Sequence, residues 1–266
     1  MPTPALTSRQ HPLVQECRRV ARGDDHRLLL DGWHLLDEAL LAGLPLDMVL
    51  VDAGVAHAHA DVLARCAAAR IRVVLASAAA IAAASPVQTA TGVVALGPRP
   101  DVPLAHLLQP SPPLVLAAFG LQDPGNVGAL IRSAAAAGAT GVLLDTASAD
   151  PYSWKALRAS MGAALRLPVR RDASAQAELA RLQASGLTLH AATPHGGTPL
   201  HDASLRGPVC LLLGAEGAGL PSDIVALADR TICIPMARGV ESLNVAVAGA
   251  LLAFEAARQR HLPEGA

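Results

Sequence analysis

Aromatic residues are almost missing from this chain. Two Phe, one Tyr and two Trp make up 2% of 266 residues, so the core has to be assembled from Ala, Val, Leu and Ile. Lysine occurs once, at Lys155, against 20 arginines, a compositional habit that carries no functional weight. Neither sign of charge dominates, and the formal net charge is -1. That excludes the polycationic coat of a nonspecific nucleic-acid binder but leaves room for local basic patches. The four cysteines, Cys17, Cys66, Cys210 and Cys233, are widely spaced, so there is no CxxC redox pair and no zinc knuckle. Cys210 and Cys233 lie in apolar runs and read as buried thiols. His57 and His59 form an HxH pair without a third ligand nearby, and no metal site is expected. No apolar stretch is long enough to span a bilayer, and the N-terminal MPTPALTSRQHPLVQECRRVARGDD lacks the apolar core of a secretion signal. The expectation is a cytoplasmic protein with no membrane contact.

Hydrophobic residues reach 52% and charged residues only 16%, which favours a folded chain over a disordered one. The sharpest break is GPRPDVPLAHLLQPSPP, residues 97–113, with six prolines. Proline lacks an N–H and fixes φ, so this run reads as a linker with one short helix at 103–108. The predicted organisation is an N-terminal α/β domain at 1–97, a Pro-rich linker at 98–113 and a larger α/β domain at 114–266. In the first, strands are expected at 27–32, 47–52, 71–77 and 91–97, with helices at 33–43 and 59–70; Gly43 suits a helix end. In the second, apolar runs at 114–119, 140–145, 187–193, 208–214 and 230–235 suit strands of a parallel sheet covered on both faces. Helices are expected near 126–137, 153–163, 174–185, 221–228 and 242–260. In open α/β sheets the site lies beyond the strand C-termini, which singles out the loops 120–126, 214–220 and 235–242.

Each of these loops carries unusual residues. LQDPGN (121–126) is a turn, and Asn126 reads as the N-cap of the helix that follows. Gly128 lies one turn before Arg132 on the same face, leaving room beside the guanidinium. A partner carboxylate on the surface is the ordinary role for Arg132, but its neighbours are Leu130, Ile131 and a run of alanines. They predict a buried charge, which is costly unless a site or interface uses it. LLLGAEGAGLPSDI (211–224) runs a strand into three glycines around Glu216. The order GxxGxG is neither the dinucleotide fingerprint nor a P-loop, and a flexible turn is the bland alternative. In IPMARGVESLNVAVAGALLAFEAAR (234–258), Ser242 reads as an N-cap, and Asn244 adds a polar group at a helix start. Both faces of that helix are apolar, which predicts burial, in part by a second copy. YSWKALRASMGAALRLPVRR (152–171) clusters Lys155, Arg158, Arg166, Arg170 and Arg171 with Tyr152 and Trp154. It can hold phosphates and stack a base, or be a solvated helix face. RASMG misses the hydrolase GxSxG elbow.

In order and spacing, the three loops resemble those of the SpoU (TrmH-type) RNA ribose 2'-O-methyltransferases of the SPOUT class. The first motif is NxGxxxR (Asn126, Gly128, Arg132), the second GEGxG (Glu216, Gly217, Gly219, with Gly214 before it), and the third IPM…SLNV (Ile234 to Met236 and Ser242 to Val245). The segment 150–169 is also similar, with Trp154 where proline is usual. The match is close over 114–260 and looser in the N-terminal domain, which resembles a substrate-binding domain of ribosomal-protein type. The resemblance implies a mostly parallel α/β sheet whose C-terminal part forms a deep trefoil knot, a rare topology. It implies S-adenosylmethionine as methyl donor, held largely by backbone groups at Thr193, Pro194, Gly214, Gly219, Ile234, Met236 and Leu243. It implies a homodimer with the site at the interface, where Arg132 of one subunit serves the other. Because a guanidinium is a poor base, Arg132 is expected to bind phosphate and stabilise oxyanion charge. Asn126, Glu216, Ser242 and Asn244 would position it and the ribose, while Lys155, Arg158, Arg166, Arg18 and Arg19 would hold RNA. A separate N-terminal domain favours ribosomal RNA. The alternatives are action on tRNA, action on a base, and a noncatalytic RNA-binding homologue.

Overall fold

The computed structural model of the protein describes residues 6–260; the first five residues of the N-terminal segment read above, and the last six of the chain, lie outside it. The first elements are α1 (Pro12–Arg22), β1 (Arg27–Asp31), α2 (Trp33–Leu41), β2 (Met48–Asp52), α3 (Ala60–Ala68), β3 (Arg72–Ala76), α4 (Ala78–Ala84) and β4 (Val93–Pro98). Then come β5 (Leu114–Phe119), α5 (Pro124–Ala136), β6 (Gly141–Asp145), α6 (Trp154–Ala159), β7 (Val169–Asp172), α7 (Ala175–Ala184) and β8 (Thr188–Ala192). The last are β9 (Thr198–Pro199), β10 (Val209–Gly214), α8 (Ser222–Leu227), β11 (Arg230–Cys233) and α9 (Val245–Gln259). They form two compact units. One ends at Pro100 and takes back Tyr152–Arg166; the other comprises Asp101–Pro151 and the chain from Leu167 onward.

The first unit is a four-stranded mixed sheet in the order β1-β4-β2-β3, with β4 antiparallel to both neighbours. Helix α1 was not anticipated, although its Val14, Cys17 and Val20 recur at helical spacing and are buried. They pack with Ile81 of α4 against Leu29, Leu50 and Leu96. Helix α4, AAAIAAA, was also missed; Ser77 caps it by accepting from Ala80 N. Trp154 packs on the same core, and Arg166 pairs with the nearly buried Glu38 at 2.8 Å.

The second unit is a seven-stranded sheet in the order β7-β6-β5-β10-β8-β11-β9, parallel throughout. Both faces are covered, as its apolar strands require. On one face Leu179 and Leu182 of α7 and Ile224 of α8 pack on Val115, Leu189 and Leu212. On the other, α9 lies against α5 and β10. Gly249 permits this approach, since a Cβ there would sit 2.3 Å from Leu130 Cδ1 and 3.1 Å from Leu213 Cδ1. Within the Pro-rich run, residues 104–108 form a 3₁₀ turn whose Leu107 is fully buried. Its carbonyl accepts from Thr140 Oγ1 at 2.6 Å.

Within one copy of the chain α9 buries a single face: Val245, Gly249, Leu252, Ala253 and Ala256 face the core, whereas Val247, Leu251 and Phe254 are nearly half exposed. The two expected helix caps need correcting. The N-cap of α9 is Asn244, not Ser242, because Asn244 Oδ1 accepts from Ala246 N and Val247 N and the helix starts two residues later than its apolar pattern. The cap of α5 is Asp123, not Asn126: Asp123 Oδ1 accepts from Gly125 N at 2.7 Å, and Pro124 fits the first helical position, where no N–H is needed. Among the described residues no helix is long and apolar enough to cross a membrane.

Candidate active site

Parallel strands send their C-terminal ends to one edge, and the loops that leave them there meet. Beyond β8, β10 and β11 these loops enclose a cavity of about 430 Å³. Its floor is apolar, from Leu213, Ile232, Ile234, Val245 and Leu252; its polar rim includes Glu216, Glu241 and Ser242. Thr193 and Pro194 after β8, Gly214 and Gly219 in the glycine loop, and Ile234, Met236 and Leu243 after β11 all line it. The glycine loop folds back on itself through an Ala215–Gly219 bridge. A Cβ at Gly214 would come within 2.0 Å of the Gly219 carbonyl carbon and 2.2 Å of Leu220 N, so this loop can close only over a glycine.

The three motifs are tied together by one carboxylate oxygen. Glu216 Oε1 accepts from Asn244 Nδ2 at 2.6 Å, from Asn126 Nδ2 at 3.2 Å and from Val245 N at 3.3 Å. Asn244 Nδ2 also donates to Asn126 Oδ1 at 3.0 Å, while its own oxygen caps α9. One asparagine therefore fixes both the start of α9 and the orientation of Glu216. Charge-assisted bonds of this kind are roughly twice as strong as neutral ones. The loop after β5 is anchored separately: Gly120 N donates to Asp145 at 3.0 Å, and Leu121 N to the buried Ser148 Oγ at 3.0 Å.

Arg132 corrects an expectation. It is exposed, it makes no hydrogen bond or ion pair among the described residues, and it is not part of the cavity wall. Leu130, Ile131 and Ala134 face the core while Arg132 and Ala136 face out; small alanines on a surface face had mimicked burial. Gly128, one turn earlier, is buried.

The basic residues divide by what they touch. Arg18, Arg19, Lys155, Arg158 and Arg166 belong to the first unit and are exposed; Lys155 lies 5.6 Å from the Trp154 ring. Arg170 and Arg171 are structural instead. Arg170 pairs with Asp172 and with the buried Glu178, and Arg171 donates to the carbonyls of Thr146 and Ser148. Tyr152 is buried and cannot stack a base. The sequence reading missed Glu241, His195 and the Asp145–Ser148 anchor. Glu241 and His195 had only their nearness to the motifs as a signal, and the anchor joins residues of two different loops, a pairing that only the fold shows.

The chain has informative likenesses. Residues 113–254 match the SpoU rRNA methylase family. An uncharacterized tRNA/rRNA methyltransferase of Synechocystis sp. is 33% identical over 263 residues, 96% of this chain and 94% of that one. The crystal structure of an S-adenosylmethionine-bound rRNA methyltransferase from Sinorhizobium meliloti superimposes with a TM-score of 0.85 at 27% identity, covering 98% and 99% of the two chains. That of an RNA 2'-O ribose methyltransferase gives 0.80 at 34% identity, covering 97% and 100%.

Proposed function

The chain belongs to the SpoU rRNA methylase family and is an RNA methyltransferase that takes its methyl group from S-adenosylmethionine; we propose that it delivers that group to a ribose 2'-hydroxyl, in ribosomal RNA. The observation that carries this reading is the cavity whose wall includes Glu216, a carboxylate held from two other motifs by Asn126 and Asn244. Likeness to a structure described as an RNA 2'-O ribose methyltransferase supports the ribose, and likeness to an rRNA methyltransferase supports the RNA class.

The residues present fit the donor. About 430 Å³ falls within the range of small-molecule sites, about 300–1,000 Å³. Apolar walls suit an adenine, and the carboxylates of Glu216 and Glu241 suit a ligand with sulfonium and ammonium charges. We assign the holding of the donor to Thr193, Pro194, Gly214, Gly219, Ile234, Met236 and Leu243. When bound, S-adenosylmethionine supplies an electrophilic methyl whose leaving group is a neutral thioether. Asn126, Glu216, Ser242 and Asn244 orient the acceptor ribose at the rim. Arg132 holds the adjoining phosphate and steadies the charge that grows on the attacking oxygen.

Arg132 is not part of its own chain's cavity wall, so this reading requires a second copy. The exposed Val247, Leu251 and Phe254 of α9 are the face we assign to that homodimer. The knotted chain path belongs to the same proposal, as do RNA contacts by Arg18, Arg19, Lys155, Arg158 and Arg166. The test pairs calorimetry with turnover. Arg132→Ala should bind S-adenosylmethionine like the wild type yet lose methyl transfer to ribosomal RNA by at least about a hundredfold. Near-normal turnover would remove Arg132 from the mechanism, and a wild type that binds no donor would point to a noncatalytic RNA-binding protein.

A further inference from the structure

Beside the candidate donor cavity lies a second one of about 390 Å³, between residues 194–196 and 233–240. The two share Pro194, His195, Ile234 and Met236 as a common wall. Their charges differ. Glu216 and Glu241 line only the first; Arg238 lines only the second, which has no carboxylate among its described lining residues. Arg238 is exposed, and no hydrogen bond or ion pair engages its side chain among the described residues. Elsewhere in this wall, residues 193–197 are tied to 232–233: Thr193 N donates to Ile232 O at 2.9 Å, Thr193 Oγ1 to Gly196 O at 3.3 Å, and Cys233 Sγ lies 3.9 Å from Gly197 O.

We propose that this second cavity seats an RNA phosphate on Arg238, with His195 at the shared wall, and so presents the neighbouring ribose to the donor cavity. The inference rests on the RNA methyltransferase reading above and adds to it a positioning residue outside the three motifs. An acceptor hydroxyl must reach the methyl group, so its strand has to cross the rim of the first cavity. A polyanion is disfavoured beside Glu216 and Glu241 and favoured beside an uncommitted guanidinium, which can grip a phosphate through two N–H groups. The charge step between the cavities therefore places this phosphate on the side away from Glu216 and Glu241, apart from the phosphate assigned to Arg132 of the second copy.

The test is binding of fluorescein-labelled oligouridylate to the full chain across a salt series, alongside calorimetry with S-adenosylmethionine. Arg238→Ala should weaken oligouridylate binding about tenfold at low salt. It should also make the log–log salt dependence shallower by about 0.7, the value for one lost contact on a single strand. Arg238→Lys should keep the slope, and Arg206→Ala, which removes an exposed charge just before β10 at the opposite end of the strands, should leave it unchanged. Donor affinity should be the same in all of them. An unaltered slope in Arg238→Ala overturns the proposal while sparing the RNA reading. A loss of donor affinity in Arg238→Ala overturns it as well, by assigning the guanidinium to the donor's carboxylate. A wild type that binds no RNA at all would overturn both.

Discussion

Glu216 uses one oxygen to collect three N–H groups from two other loops, and Asn244 supplies one of them while capping α9. Asn244→Ala should therefore act twice. Loss of the cap should cost about 1 kcal/mol in a urea melt, and loss of the tie to Glu216 should lower methyl transfer at least about tenfold. Glu216→Gln keeps an acceptor for all three donors but weakens each bond, so it should unfold slightly more easily than the wild type and separate the role of charge from that of geometry. Gly214→Ala should be harsher than either, because its new Cβ would meet backbone at 2.0 Å; donor binding by calorimetry should disappear. Much at this scale was legible. Asn126 and Asn244 stood out as polar residues at helix starts and Glu216 as a carboxylate among glycines after a strand, and the structure brings them together. Arg132 was read as buried because alanine gives no sign of which face it occupies. Ser242 and Asn126 were read as caps because two candidates lay within three residues at each helix start, and the choice rests on hydrogen bonds that spacing alone does not fix.

Helix α9 crosses α5 where Gly249 meets Leu130, both at the buried face. Gly249→Ala should destabilise the second unit by about 1–3 kcal/mol through overpacking. Shortening the opposing side chain in a Gly249→Ala, Leu130→Ala double variant should cost less than the sum of the single changes. On β8, His190 is 1% exposed and its Nδ1 has no hydrogen-bond partner among the described residues. Burial pushes its imidazole below the usual value of 6.5, with Arg230 adding to the shift and Asp229 opposing it. The unfolded chain then takes up a proton that the folded chain refuses. Stability from this group is intact above pH 6.5 and falls by up to about 1.4 kcal/mol per pH unit below it, until the folded value is reached. Urea melts at pH 7.5 and 5.5 should show this loss in the wild type and a smaller one in His190→Leu. The apolar strands were legible as elements because each is an unbroken run. Helices α1 and α4 were not. Charged and polar residues crowd the three apolar positions of α1, and α4 is alanine on every side.

At the scale of the molecule, the chain folds as two units, and the segment 152–166 packs with the first although the linker precedes it. Sequence order alone predicted a boundary at the prolines; long-range packing by Trp154 and Arg166 places this segment elsewhere. The proposed homodimer makes a prediction of its own. If Arg132 serves the opposite subunit, mixing Arg132→Ala with Asn244→Ala should restore about a quarter of wild-type turnover, the statistical yield of one complete site in half the dimers. Arg132 acting within its own chain would leave the mixture no better than the average of its components. Phe254→Glu on the exposed face of α9 should yield monomers by sedimentation and abolish turnover.

The central claim concerns the atom that receives the methyl group. Ribosomal RNA from cells lacking this protein can be incubated with the enzyme and methyl-labelled S-adenosylmethionine, digested to nucleosides and analysed by mass spectrometry. The account predicts the label in the ribose of a single 2'-O-methylnucleoside. Label confined to a base would contradict it.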